Sequence, residues 1–233
     1  MSLETFFPAR FCLNLDRRMD RKLRAWGLFR RAGLAVERLS APDAVEMGLW
    51  ERRGFRGLGP RACAAAHRLA WREARRRGVE AVLIFEDDVV LAEGFHEKLV
   101  CWLQTVPENW GMLYLGCVFL DPPEEIAPGL LRVTGRTWDM HAYAVKTCWL
   151  PELHRVVRPL SFRERGAETP LPRPAGALDT AVPRCHHIFP VYAPWPPLAW
   201  QAPGLSNNEV SLRGNYDTDG RQRYYPAAIG HLQ

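Results

Sequence analysis

Val79–Leu91 reads Val-Glu-Ala-Val-Leu-Ile-Phe-Glu-Asp-Asp-Val-Val-Leu, and the rest of the chain can be interpreted from it. Five apolar residues, Ala81–Phe85, run straight into three carboxylates, Glu86, Asp87 and Asp88. A short continuous apolar run after a helix that ends at Gly78 suits a strand buried on both faces, as in a parallel sheet. Adjacent carboxylates repel one another, and burying them unpaired is costly. They belong at the strand's carboxyl end, where open α/β sheets keep their ligand crevice. Hard oxygen ligands in such a cluster select Mg²⁺ or Mn²⁺. The alternative is a solvated acidic turn that caps the next helix.

Just upstream, Pro60 opens a helix that runs to Arg77, with Cys63, Ala66, Leu69, Ala70 and Ala74 as its buried stripe. His67 lies beside that stripe, where a histidine is usually a hydrogen-bonded helix residue rather than a ligand. Nearer the N-terminus, Phe11–Leu15 reads as a strand and Asp20 as the cap of a helix over Arg21–Ala32. Ala35–Leu39 completes a strand–helix–strand unit and so a parallel sheet.

Downstream, Phe95–Val106 carries a clear apolar helical face, and Met112–Leu115 is another strand. Leu130–Val133 and His141–Lys146 alternate, as antiparallel additions to the sheet would. A short helix covers Pro151–Val157, and Ile188–Tyr192 is a last strand. Pro159–Gly176 is polar and proline-rich, which predicts a mobile loop that a bound donor would order. After Trp195 no periodic element is legible.

At 233 residues and 47% hydrophobic, the chain is expected to form one domain over 1–233, with an irregular tail over about 206–233. No apolar run reaches the length of about 18 residues that a membrane helix needs. Met1–Arg10 lacks the basic-then-apolar layout of a secretory signal. The six cysteines show no paired spacing, which argues against a disulfide framework and a zinc site. Together these features predict a cytoplasmic, thiol-reduced protein.

The net charge is +5, but only Lys22, Lys98 and Lys146 of the 31 basic residues are lysines. That arginine bias, with no nucleic-acid motif, predicts anionic nucleotides or an anionic membrane surface as partners, peripherally at the inner membrane face, and no nucleic acid. Asn215-x-Asp217-x-Asp219-Gly220 imitates the start of a calcium loop, but its twelfth position is Pro226, so a polar turn is the better reading. Cys185-His186-His187 lacks a partner cluster and reads as surface beside a strand.

With the sheet and carboxylates placed, several blocks resemble glycosyltransferase family 25, the lipooligosaccharide and collagen galactosyltransferases. In order they are Asn14-Leu15-Asp16-Arg17-Arg18-Met19-Asp20-Arg21, Glu37–Asp43, Cys63–His67, Leu83–Asp88, His141–Ala144 and Pro197–Ser206. Two positions depart from the family pattern: Ala66 stands where it has serine, and Ser206-Asn207 where it has serine–aspartate.

The resemblance implies a GT-A type nucleotide-sugar-binding domain, α/β, with a mixed, mostly parallel sheet flanked by helices. It implies transfer of a sugar, galactose first among candidates, from a UDP donor to a glycan or a glycosylated protein, with inversion. Lipopolysaccharide biosynthesis is the setting that follows, and a non-catalytic nucleotide- or glycan-binding relative is the alternative. Glu86 and Asp88 would hold Mn²⁺ (or Mg²⁺), with His231 a candidate third ligand. Asn14, Arg17, Asp43, His67 and Asp87 would hold the nucleotide sugar. Gln201 and Ser206 would line the acceptor or donor pocket. Asp179 would be the general base, with Asp139 as its alternative.

Overall fold

The computed structural model describes residues 2–43, 58–157 and 178–202. In chain order the elements are α1 (Leu3–Phe6), β1 (Ala9–Asn14), α2 (Met19–Arg31), β2 (Glu37–Ser40), α3 (Leu58–Arg77), β3 (Ala81–Glu86), β4 (Val89–Leu91) and α4 (Phe95–Leu103). Then come β5 (Met112–Phe119), β6 (Glu124–Ala127), β7 (Leu130–Arg132), β8 (Thr137–Lys146), α5 (Leu150–Val156), α6 (Leu178–Ala181), β9 (Val191–Pro194) and β10 (Ala199–Gln201).

Eight strands form one sheet in the order β2-β1-β3-β8-β5-β9-β7-β6, and β10 pairs with β4 in a separate ribbon. β1 is parallel to both β2 and β3, as the strand–helix–strand reading required. β8 runs antiparallel between β3 and β5, and β7 runs antiparallel to β9. Most strands therefore share one direction, and the expected mixed, mostly parallel sheet flanked by helices is what forms.

Side-chain alternation along β3 divides the core into two layers. Val82 and Ile84 join Phe11, Trp71, Tyr114 and Tyr143 on the face covered by α3, α5 and α6. Leu83 and Phe85 join Phe29, Phe95, Leu99 and Trp102 on the face covered by α2 and α4. Phe85 sits between Phe29 and Phe95, with ring centroids 5.1 and 6.4 Å away. Burying a ring of that size contributes about 1.5–3 kcal/mol.

Several expectations need correcting. The antiparallel strand read over His141–Lys146 is longer, Thr137–Lys146, and it lies inside the sheet, with Met140–Val145 buried throughout. α2 begins at Met19 with Arg18 as its N-cap, and Asp20 instead accepts from the Arg18 guanidinium (2.9 and 2.7 Å). The irregular region after Trp195 contains β10, too short to leave a periodic signal. Cys185 and His186 are buried rather than on the surface, while His187 is exposed. The loop over 159–176, Ser206, the Asp217 turn and His231 lie outside the described residues. Among the described residues no helix is long and apolar enough to cross a membrane.

Candidate active site

β1, β2 and β3 are parallel and end together: Asn14 registers with Ser40, and Leu13 with Glu86. Their carboxyl ends gather Asn14, Arg17, Asp43 and the acidic triplet at one edge. The alternation that splits the core also distributes the carboxylates. Glu86 continues the Val82–Ile84 face towards α3, and Asp87 turns towards α2.

On the α3 side, His67 Nε2 lies 3.2 Å from Glu86 Oε1, and the Cys63 thiol reaches the same oxygen at 3.9 Å. His67 is wholly buried, and its Nδ1 lies 2.9 Å from the Tyr143 hydroxyl. The indole N–H of Trp71 also meets that hydroxyl, at 2.9 Å. Indole can only donate, so the Tyr143 oxygen accepts from it and directs its own proton to His67 Nδ1. That leaves the imidazole proton on Nε2, aimed at Glu86. Burial opposes ionisation of Glu86, but the His67 hydrogen bond and the charges around it, Arg21 among them, outweigh burial and hold it below the usual carboxylate value.

On the α2 side, Asn14 donates to Asp87 Oδ2 at 2.7 Å and to the Arg18 carbonyl at 3.1 Å, while its own oxygen accepts from Arg38 at 2.8 Å. Arg21 Nη1 donates to Asp87 Oδ1 (3.0 Å) and Asp88 Oδ2 (3.1 Å), and Arg24 donates to the Asp87 carbonyl (3.3 Å). Arg17 pairs with the buried Asp43.

Asp88 is held from a third direction by the ribbon. β10 lies antiparallel to β4, so Gln201 registers with Val89 and donates to Asp88 Oδ2 at 3.1 Å, while the Ala202 N–H reaches the Asp88 carbonyl at 2.7 Å. Asp88 Oδ1 is buried without a hydrogen-bond partner. Burial, reinforced by Glu86 and Asp87, pushes Asp88 up to about 7. A buried carboxylate with a bare oxygen beside two others is a donor set that fits a hard divalent cation. Among the described residues, however, the three side chains that bring ligand atoms within 4.8 Å of one another are Cys63, His67 and Glu86.

Sequence reasoning gave no role to Arg21, Arg24, Trp71, Tyr143 or His141, although Arg21, His141 and Tyr143 fall within the blocks that carried the resemblance. Arg21 and Arg24 lie three residues apart on α2 and so share one face of the helix, a signal that was available. Burial inside the sheet pushes His141 down to about 4, with Glu86 acting in the opposite sense. The proposed base, Asp179, sits in the first turn of α6 on the α3 face and interacts electrostatically with Tyr114. Asp139 is the described non-glycine residue with a left-handed backbone, φ 64°, beside a register shift between β5 and β8. A cleft of about 550 Å³ between α2 and α4, lined by Leu28, Arg31, Phe95 and His96 among others, includes none of the acidic residues of the triplet.

Sheet and site together define a mixed α/β domain with an acidic, arginine-lined edge where its parallel strands end. Residues 51–119 match the family described as glycosyltransferase family 25 (LPS biosynthesis protein), and the resemblance drawn from the sequence is borne out over that segment. The mouse protein named inactive glycosyltransferase 25 family member 3 is 33% identical over 94 residues, 37% of this chain and 16% of that protein. Its human counterpart is 34% identical over 95 residues, 38% of this chain and 16% of that protein. The match thus spans under one fifth of either relative. A solved glycosyltransferase involved in glycosylation of the major capsid of PBCV-1 is similar at 9% identity and a TM-score of 0.40, over 64% of each chain.

Proposed function

We propose that the chain is a metal-dependent, inverting glycosyltransferase that moves a sugar, galactose first, from a UDP donor to a hydroxyl of a lipooligosaccharide-type glycan or a glycosylated protein. The observation that carries this reading is the bare, buried Asp88 Oδ1 beside Glu86 and Asp87 at the end of the parallel strands. Glu86 and Asp88 hold the cation in this reading. Bound there, Mn²⁺ or Mg²⁺ supplies charge against the diphosphate that leaves with the broken glycosidic bond.

The chain's own residues do the rest. Gln201 and Arg21 fix the Asp88 carboxylate, and His67 fixes Glu86. Asn14 orients Asp87 so that its remaining acceptor capacity can meet a ribose or sugar hydroxyl. Arg17, whose side chain is 43% exposed, offers a fork suited to phosphate. Asp179 removes the acceptor's proton. The net charge of +5, carried mostly by arginine, supports a peripheral enzyme working against an anionic inner membrane face.

The test is thermal stabilisation by UDP, large with Mn²⁺ and small with EDTA, because a ligand that binds the native state raises its melting temperature. Asp88→Asn should abolish the difference. Equal stabilisation with and without metal defeats the metal-bridged reading.

A second reading, a non-catalytic nucleotide- or glycan-binding relative, has its own observation. Arg21 already places one positive charge between Asp87 and Asp88, and the matched mammalian relatives are named inactive. Binding of UDP-sugars without hydrolysis or transfer, across donors and with Mn²⁺ present, would select it.

A further inference from the structure

We infer a second cation site at Cys63, His67 and Glu86, of the kind that takes Zn²⁺ rather than Mn²⁺ or Mg²⁺. It does not depend on the sugar-transfer reading. Cys63 and His67 are four residues apart on α3, so both project from one face of the helix towards the end of β3.

The distances suit an ion. Tetrahedral zinc, with bonds of about 2.0–2.3 Å, keeps its ligand atoms roughly 3.3–3.8 Å apart. Here His67 Nε2 and Glu86 Oε1 are 3.2 Å apart, Cys63 Sγ and Glu86 Oε1 are 3.9 Å apart, and all three atoms lie within 4.8 Å of one another. Small side-chain rotations close the set.

The donor types set the preference. Thiolate and imidazole favour zinc over magnesium and manganese, which prefer oxygen. The surroundings complete the site. Metal-binding histidines commonly engage their other ring nitrogen, and His67 Nδ1 meets the Tyr143 hydroxyl, itself fixed by Trp71. Zinc binding would release the Cys63 thiol proton to solvent. The imidazole would switch tautomer, its proton moving from Nε2 to Nδ1, and the Tyr143 hydroxyl would turn its own proton away so that its oxygen accepts from both Nδ1 and Trp71.

Cys63 is partly exposed and the Glu86 side chain is 22% exposed, so an ion can reach the three ligands from solvent and water can complete the set. Three protein ligands with one open place is the arrangement of accessible zinc, not of closed structural zinc. Because Glu86 is shared, zinc here would withdraw it from Asp88 and oppose a hard cation at the acidic centre.

The experiment titrates the reduced, metal-free protein with Co²⁺ and follows the near-ultraviolet thiolate-to-cobalt band. One equivalent should produce the band and Zn²⁺ should remove it. Cys63→Ser should lack it while melting as wild type without metal, and Asp88→Asn should keep it. Should Cys63→Ser fail to fold, alkylation of the wild-type thiols replaces it. One equivalent of Zn²⁺ should slow modification of Cys63 by at least about tenfold, as expected when most of the protein is loaded. The exposed Cys101 and Cys148 are internal controls whose rates should not change.

A wild type without the band, a band that survives in Cys63→Ser, or Cys63 alkylation indifferent to Zn²⁺ overturns the inference. Loss of the band in Asp88→Asn overturns it too, because Asp88 is not one of the three ligands. Failure of UDP to bind with Mn²⁺ would defeat the transferase reading and leave this one standing.

Discussion

The indole of Trp71, on α3, donates to the hydroxyl of Tyr143, at the centre of β8, across 2.9 Å of fully buried space. Without a metal, that contact orients the Tyr143 hydroxyl towards His67 and so the His67 N–H towards Glu86. Tyr143→Phe should leave Trp71 Nε1 and His67 Nδ1 without partners in the interior. Each orphaned group costs about 1–3 kcal/mol, so denaturant unfolding should show a loss of that order or more. A loss well under 1 kcal/mol would mean the two groups find other partners.

Gly116 of β5 admits no side chain. A Cβ there would stand 1.8 Å from the Ala199 carbonyl oxygen and 3.0 Å from His141 Nε2. Because β10 carries Gln201 to Asp88, Gly116→Ala should displace that contact as well as destabilise the fold by at least about 1–3 kcal/mol. Gly27→Ala, inside α2, meets only Arg31 Nη1 at 3.5 Å and should stabilise by about 0.5–1 kcal/mol. Melting temperatures of the two variants, moving in opposite directions, are the check.

His186 gives the stability a pH dependence. It donates from Nδ1 to the Gly135 carbonyl at 2.7 Å and accepts the Tyr114 hydroxyl at Nε2 across 3.0 Å. Burial, partly offset by the Gly135 contact, pushes it down from an ordinary 6.5 to about 4. Between those values the unfolded chain binds more protons, so stability present above pH 6.5 is lost as pH falls through 4. The contribution is on the order of 3 kcal/mol. His186→Asn, which keeps a donor for Gly135 but does not titrate, should show a shallower fall across that window in urea melts.

Asp179→Asn should reduce sugar transfer by about 10²–10⁴-fold, the usual worth of a placed general base. UDP affinity should remain that of wild type, since the residue is proposed to serve the acceptor side. A parallel loss of UDP binding would make Asp179 a nucleotide-binding or structural residue, and Asp139 the next to substitute.

The sequence alone determined the parallel start of the sheet and the position of Glu86-Asp87-Asp88 at its edge. It could do so because those features are local. An apolar run closed by charges, a helix bounded by Pro60 and Gly78, and a strand–helix–strand order all lie within a few turns of chain. Only the tertiary structure decided what each carboxylate would touch. Glu86 meets Cys63 and His67, Asp87 meets Asn14 and Arg21, and Asp88 meets Gln201, across separations of 19 to 113 residues. The insertion of β8 between β3 and β5, which brings Tyr143 beneath His67, is equally non-local. A strand's own residues fix which faces are apolar, but its neighbours are chosen by the competition among all strands for the same buried positions.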